Sequence, residues 1–328
     1  TARTINLKDN GYDSKDNFRA DWRQTLCLME RLSRLAGVNP RRIGLSATIG
    51  DPERTGRFLS MGTGRRTAIP VIRSAGTRWR LSMEHFYLRE RQAADDCGEA
   101  EIPEAQPVLD GKTDTAPEHA DPGLGYLFEH TRGKKCLVFV NSREECEAVT
   151  TTLRQYCEAK HEPDRFLIHH GNLSASYRET AEEAMKDDST FLTTVTTATL
   201  ELGIDIGRLE RAFQIDAPFT VSSFLQRMGR TGRRELPPEM WFVIREEPPE
   251  ERAMLPATIP WKLLQGTALV QTYLEERWVE PPNLERLPYS LLYHQTMCTL
   301  ASCGEMSPAA LAERVLTLSY FHRISQDD

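Results

Sequence analysis

The sequence predicts an α/β fold built on a parallel sheet flanked by helices, and three observations predict it. From Lys134 onward, strand-like runs alternate with helix-period segments for about 110 residues, as happens when each strand is followed by a crossover helix. The strand-like runs, of which KKCLVFVNS is the clearest, are apolar almost throughout, the pattern of strands buried on both faces. After Glu246 the alternation stops and helical segments succeed one another.

Taken in order, Trp22 to Leu35 (WRQTLCLMERLSRL) carries Leu26, Met29 and Leu32 at helical spacing, with Gly37 and Pro40 as a stop. Arg42 to Leu45 reads as a short strand that delivers Ser46, Ala47 and Thr48 at its end. Asp51 and Pro52 then form an N-cap and first helical position for a helix to Leu59. Thr67 to Ile72 and Leu81 to Leu88 alternate as strands do. Gln92 to Gly123, rich in Ala, Pro, Asp, Glu and Gly, is expected to be a loop-like insertion. Within the alternating region the strands are KKCLVFVNS, FLIHHG, FLTTV, RAFQID and MWFVI. The helices are SREECEAVTTTLRQYC, with Cys146, Val149, Leu153 and Tyr156 inward, then Ala175 to Met185, and Phe219 to Met228. Beyond the EEPPEER linker, Pro256 to Trp278 and Leu287 to Ser302 are helical, and Ser307 with Pro308 opens a third helix.

A chain of 328 residues with 39% hydrophobic content supports packed cores and about two domains. It has no run of eighteen apolar residues, and its first residues form neither a signal nor a transit peptide, so the expected location is the cytoplasm, with no membrane partner. Seven cysteines without a CxxC pair support neither a disulfide framework nor a zinc site. The net charge of −7 is local: residues 91–121 hold nine Asp or Glu against two Lys or Arg, leaving the remainder neutral at 39 against 39. Residues 41–80 hold nine arginines against Asp51 and Glu53, a basic segment suited to a polyanion or, more blandly, to solvent. His169 and His170 are adjacent in a strand, face opposite ways and are not expected to share a metal.

The chemistry concentrates in Gln226 to Arg233, QRMGRTGR. Arg227, Arg230 and Arg233 recur every third residue, and Gly229 and Gly232 let the backbone turn at the helix end. Such guanidiniums fork onto phosphate oxygens and neutralise charge on a transferring phosphoryl group. The bland alternative is a solvated, arginine-rich helix end. Upstream stand Leu45 to Thr48 (LSAT), Leu137 to Ser142 (LVFVNS), His169 to Leu173 (HHGNL) and Thr197 to Asp205 (TATLELGID). With QRMGRTGR these pieces resemble the run of motifs III to VI of superfamily 2 helicases. LSATIGDPE, and ATLELGIDIG leading into FLQRMGRTGR, are most similar to the large helicase-related (Lhr) subfamily.

This resemblance implies a RecA-like, P-loop NTPase type of sheet and the C-terminal part of a DExH-type motor. Residues 1–75 would be the end of a first RecA-like domain, 76–133 a connecting strand and acidic loop, 134–248 the second RecA-like domain, and 249–328 a helical linker with the start of a winged helix. It implies that Arg230 and Arg233 reach the γ-phosphate of ATP with Gln226 as a polar partner, and that Asp205, Gly203 and Arg227 lie near the nucleotide. Ser46 and Thr48 would couple hydrolysis to strand movement, although a polar strand end explains SAT equally. Thr197, Asn141, Ser142 and Gly171 would contact a single-stranded or partly duplex nucleic acid, although strand-to-helix caps account for the last three. Neither GxxxxGK[ST] nor a DExH box occurs. Hence the Mg2+ ligands and the first RecA-like domain are expected in a missing N-terminal part, and the fragment alone is not expected to hydrolyse ATP. The alternative is a RecA-like nucleic-acid-binding module without turnover.

Overall fold

A computed structural model describes residues 22–46, 48–70, 78–88, 121–187, 189–201, 206–232, 237–250, 252–281 and 287–325. The chain forms two compact units: Thr1–Ser74 with Val279–Asp328, and Ala75–Trp278.

The larger unit is a six-stranded, wholly parallel sheet. Its strands are β1 (Arg80–Tyr87), β2 (Cys136–Phe139), β3 (Phe166–His169), β4 (Thr193–Thr196), β5 (Arg211–Ile215) and β6 (Glu239–Glu246), in the spatial order β1-β6-β5-β2-β4-β3. The central strands β2, β4 and β5 are buried along their whole length, as their continuous apolar or threonine-rich runs require when helices cover both faces. α3 (Pro122–His130) and α4 (Arg143–Ala159) contribute Leu124, Leu127, Phe128, Val149, Leu153 and Tyr156 to a core completed by Val138, Val195, Phe213 and Val243. α5 (Ala175–Lys186), α6 (Val221–Met228), α7 (Leu255–Thr258) and α8 (Trp261–Glu276) complete this unit. α8 lies on the sheet, with Gly266 close to Met83 and Ile244.

The strand read as part of a connector is β1, which pairs along its full length with β6 in the compact unit Ala75–Trp278. Residues 122–130, assigned to the linker region, form α3, capped by Asp121 Oδ1, which accepts from Gly123 N at 2.7 Å, with Pro122 in the first turn. Residues 89–120, most of the acidic segment, lie outside the described residues.

In the smaller unit α1 (Trp22–Leu35) and α2 (Pro52–Ser60) pack with α9 (Tyr289–Cys303), α10 (Pro308–Val315) and a 3-10 turn at Ser319–Phe321 around Leu26, Leu291, Val315 and Phe321. Asp51 and Ser307 cap α2 and α10 as their Asp-Pro and Ser-Pro pairs predict. Buried Glu30 accepts from Ser319 Oγ at 2.8 Å, and Arg42 Nη1 donates to Leu59 O, Met61 O and the Tyr320 hydroxyl. Residues 42–45 are not a strand, and neither are 67–70. Leu45 is exposed and no strand of this unit among the described residues pairs with either segment, so a ladder has no partner to form with. Leu32 and Leu35 are exposed, and among the described side chains of α1 the buried ones are Leu26, Cys27 and Glu30.

Candidate functional site

β2, β4 and β3 are neighbours in the sheet, so the residues that follow them share one carboxyl-terminal rim. Asn141 and Ser142 follow β2, Gly171 follows β3 and Thr197 follows β4. In an open parallel sheet this rim is where the fold presents groups to a ligand. Helix α4, helix α5 and the 3-10 turn Ala198–Leu200 begin there, capped or preceded by Ser142, Ser174 and Thr197.

Local bonds sort these residues. Ser142 Oγ accepts from Glu145 N at 3.0 Å, and Glu145 Oε2 accepts from Asn141 N at 3.1 Å, so the amino end of α4 is held by its own side chains. Asn141 Nδ2 donates to Ala217 O at 2.9 Å, which fixes the end of β2 to the loop after β5. Gly171 is exposed, and a Cβ there would meet nothing within 4 Å, so its backbone is open to approach. Thr197 is half-buried and its hydroxyl makes no cap bond.

Beneath Thr197 runs a buried polar chain. His169 Nδ1 is 2.8 Å from Thr199 Oγ1, which is 3.2 Å from Thr196 Oγ1, and His169 Nε2 is 3.0 Å from Glu182 Oε1. Burial draws the His169 imidazole below its ordinary pKa, against the opposing pull of Glu182. His170 points instead toward Glu147, 3.2 Å away, so the two histidines face different helices, as strand alternation requires.

The arginine stretch does not leave its helix as one cluster. Arg227 turns inward, with Nη2 2.8 Å and Nε 2.9 Å from Glu201 Oε1, a further bond to Gln214 Oε1, and its guanidinium over the Phe139 ring. Both side chains are almost wholly buried, at 5% and 2% exposed. Arg227 is therefore a buried cation held by Glu201 and Gln214. Spacing alone does not show this, because its acidic partner lies 26 residues upstream. Arg230, half-buried beyond the helix end, forks onto Glu201 O through Nε at 2.8 Å and Nη2 at 2.6 Å. Gln226 Nε2 donates to Ser222 Oγ at 3.1 Å. Of the two glycines, only Gly232 needs its conformational freedom for φ: it sits at +73°, whereas Gly229 is right-handed at −64°. α6 starts at Val221, leaving Phe219 exposed before it.

Gly203, Asp205 and Arg233 lie outside the described residues. Ser46 and Thr48 belong to the smaller unit, where Thr48 N donates to Ser46 Oγ at 3.2 Å. Among the described residues no group of three or more His, Cys, Asp or Glu is arranged to hold a metal, and no helix is long and apolar enough to cross a membrane.

Comparison with known proteins agrees with this architecture. Residues 122–235 match the helicase conserved C-terminal domain. The chain is 32% identical over 209 residues to the ATP-dependent helicase Lhr-Core of Methanothermobacter thermautotrophicus, covering 63% of this chain and 22% of that protein. It is 27% identical over 236 residues to the Lhr helicase/uracil glycosylase of Escherichia coli, covering 63% of this chain and 14% of that protein. It thus spans about a fifth or less of the length of these two relatives. In fold it is similar to the Lhr helicase of Mycobacterium smegmatis bound to ssDNA and AMP-PNP, with a TM-score of 0.67 and 24% identity, covering 94% of this chain and 36% of that one. Residues 122–235 thus match a helicase C-terminal domain, and in sequence and in its parallel-sheet fold the chain is similar to the Lhr helicases.

Proposed function

We propose that the complete protein bearing this chain is an ATP-dependent nucleic-acid helicase or translocase, and that this chain supplies its arginine fingers and half of its nucleic-acid track. The observation that carries this reading is the fork from Arg230 to Glu201 O, which ties the arginine stretch to the turn that opens at Thr197. A strand pulling on that turn would move the same backbone carbonyl that orients the finger.

In this reading Arg230 and Arg233 neutralise charge developing on the γ-phosphate, and Gln226 assists. Gly203 and Asp205 lie beside the nucleotide, and Arg227 holds the stretch in place from beneath. Bound ATP supplies the transferable phosphoryl group, and Mg2+, when present, neutralises its oxygens. Arg230 fits this role: it is half-buried and its plane is already fixed by two bonds, so little further ordering is needed to meet a phosphate. Mg2+ would be held in a first RecA-like domain supplied elsewhere in the protein. Thr197, Asn141, Ser142 and the Gly171 backbone contact sugar and phosphate without reading bases, as a motor moving along any sequence requires. Ser46 and Thr48 transmit hydrolysis to strand movement. The protein acts in the cytoplasm.

The test is nucleic-acid-stimulated ATP hydrolysis by the complete protein and its Arg230→Ala variant. A lost finger removes about 10^3 to 10^5 in rate, while affinity for a non-hydrolysable ATP analogue should change little because the finger acts on the transition state. Equal losses in affinity and rate would refute the assignment. Residues 1–328 alone should hydrolyse no ATP, and turnover by them would overturn that part of the reading.

A further inference from the structure

Five side chains, four aromatic and one cationic, from distant parts of the sheet unit form one ladder. Arg277 Cζ lies 5.1 Å over the Tyr273 ring. Tyr273 stacks on Trp79, with centroids 5.3 Å apart and planes within 11°. Trp79 meets Phe224 edge-on at 6.0 Å and 82°, and Phe224 packs against Phe242 of β6. The ladder runs from an arginine at the end of α8 to two fully buried phenylalanines.

Its position along the chain gives it meaning. The chain passes between its two compact units twice, at 74/75 and at 278/279. Trp79 lies just after the first passage, while Tyr273 and Arg277 lie just before the second. Trp79 meets Phe224 directly and Tyr273 reaches it through Trp79; Phe224 stands three residues ahead of Arg227 and six ahead of Arg230 on the way out of α6. Arg277 occupies the left-handed region at φ 54°, uncommon for a residue with a side chain, and donates N–H to Tyr273 O at 3.0 Å, closing α8 where its guanidinium covers the stack.

We propose that Trp79 and Tyr273 are positioning residues: stacked on each other and set against Phe224, they brace α6 and so set the orientation of the arginine stretch that leaves it. Stacked rings resist tilting and Phe224, fully buried, has no room to yield in the core, so the ladder holds α6 in place. The inference rests on the helicase reading for its catalytic consequence, but the mechanical link to α6 does not.

The experiment uses the complete protein with Trp79→Ala, Trp79→Phe and Tyr273→Ala, and reads ATP turnover and backbone amide exchange. Both alanine variants should lower kcat about 10- to 100-fold, the scale of a small misplacement of a catalytic group, with KM for ATP nearly unchanged. Trp79→Phe, which keeps a ring against Phe224, should restore most of the rate. Amide exchange should quicken in residues 224–231 of the alanine variants and stay unchanged in β2 and β4. Should the wild-type protein hydrolyse no ATP, the helicase reading fails, and the exchange pattern alone decides this one. Unchanged exchange in 224–231, or a loss of protection spread evenly over the sheet, would overturn the brace, as would kcat and KM altered in equal measure.

Discussion

Arg227 and Glu201 form an ion pair sealed inside the sheet unit, with Nη2 2.8 Å from Oε1 and both side chains almost inaccessible to water. Burial draws the guanidinium below its ordinary pKa and Glu201 opposes that pull. Breaking such a pair leaves one charge without its partner, which costs about 3–5 kcal/mol. Arg227→Ala and Glu201→Ala should each lose stability on that scale in chemical denaturation, and the double variant should lose much less than their sum. Additive losses would show that the pair is not coupled.

Gly232 sits at φ +73°, and a Cβ there would lie 2.3 Å from Pro238 N, a contact that backbone must move to relieve. Thr231 fixes the same turn from the other side, since its Oγ1 donates to Met228 O and accepts from Glu239 N at 2.9 Å. Gly232→Ala should therefore cost more than the roughly 1 kcal/mol of a simple left-handed penalty. Gly171→Ala, at an open site, should cost little. Comparable melting temperatures for the two variants would contradict this.

These features divide by how local their causes are. Nearly every helix and strand was legible, because caps and periodicity act over a few residues: Asp51-Pro52 and Ser307-Pro308 announced α2 and α10. Asp121-Pro122 carries the same signature, but the acidic composition before it drew residues 122–130 into the expected insertion, so α3 was not read. The inward turn of Arg227 and the place of β1 beside β6 were not legible. Each depends on a partner far away in sequence, Glu201 in one case and a strand more than 150 residues on in the other. Of the residues assigned to the site, the rim set follows three neighbouring strands, but its order comes from the β2-β4-β3 pairing, which no local pattern encodes.

His169 links stability to pH. Burial, and to a smaller extent Arg178, lower its pKa, while Glu182 opposes them. In the unfolded chain the imidazole titrates near the ordinary value of about 6.5. Where the unfolded state holds the extra proton, stability rises with pH. The contribution of His169 is thus fully present above about pH 6.5 and is lost as the pH falls from there through the lower folded value. His169→Gln should be less stable at neutral pH and should lose less stability than the wild type between about pH 7.5 and about pH 5.5, a window above the titration of ordinary carboxylates. Parallel melting curves across that window would rule out His169 as the source.

The basic segment 41–80 separates into arginines that hold the fold and arginines that face solvent, and only the second kind is available to a strand. Arg42 is bound to two carbonyls and the Tyr320 hydroxyl, so Arg42→Ala should act through stability. Arg41, Arg57 and Arg66 are exposed. If they contact phosphate, each releases counterions, and removing one should flatten the slope of log K against log salt by about 0.7 on single strands without changing sequence preference. Thr197→Ala removes a neutral hydroxyl from the rim. It should weaken binding and lower stimulated ATP hydrolysis in the complete protein while leaving the salt slope almost unchanged. Titrations of single-stranded DNA at several salt concentrations distinguish the two kinds of contact. Full stimulation in Thr197→Ala, together with unaltered slopes in all three arginine variants, would place the track on another surface.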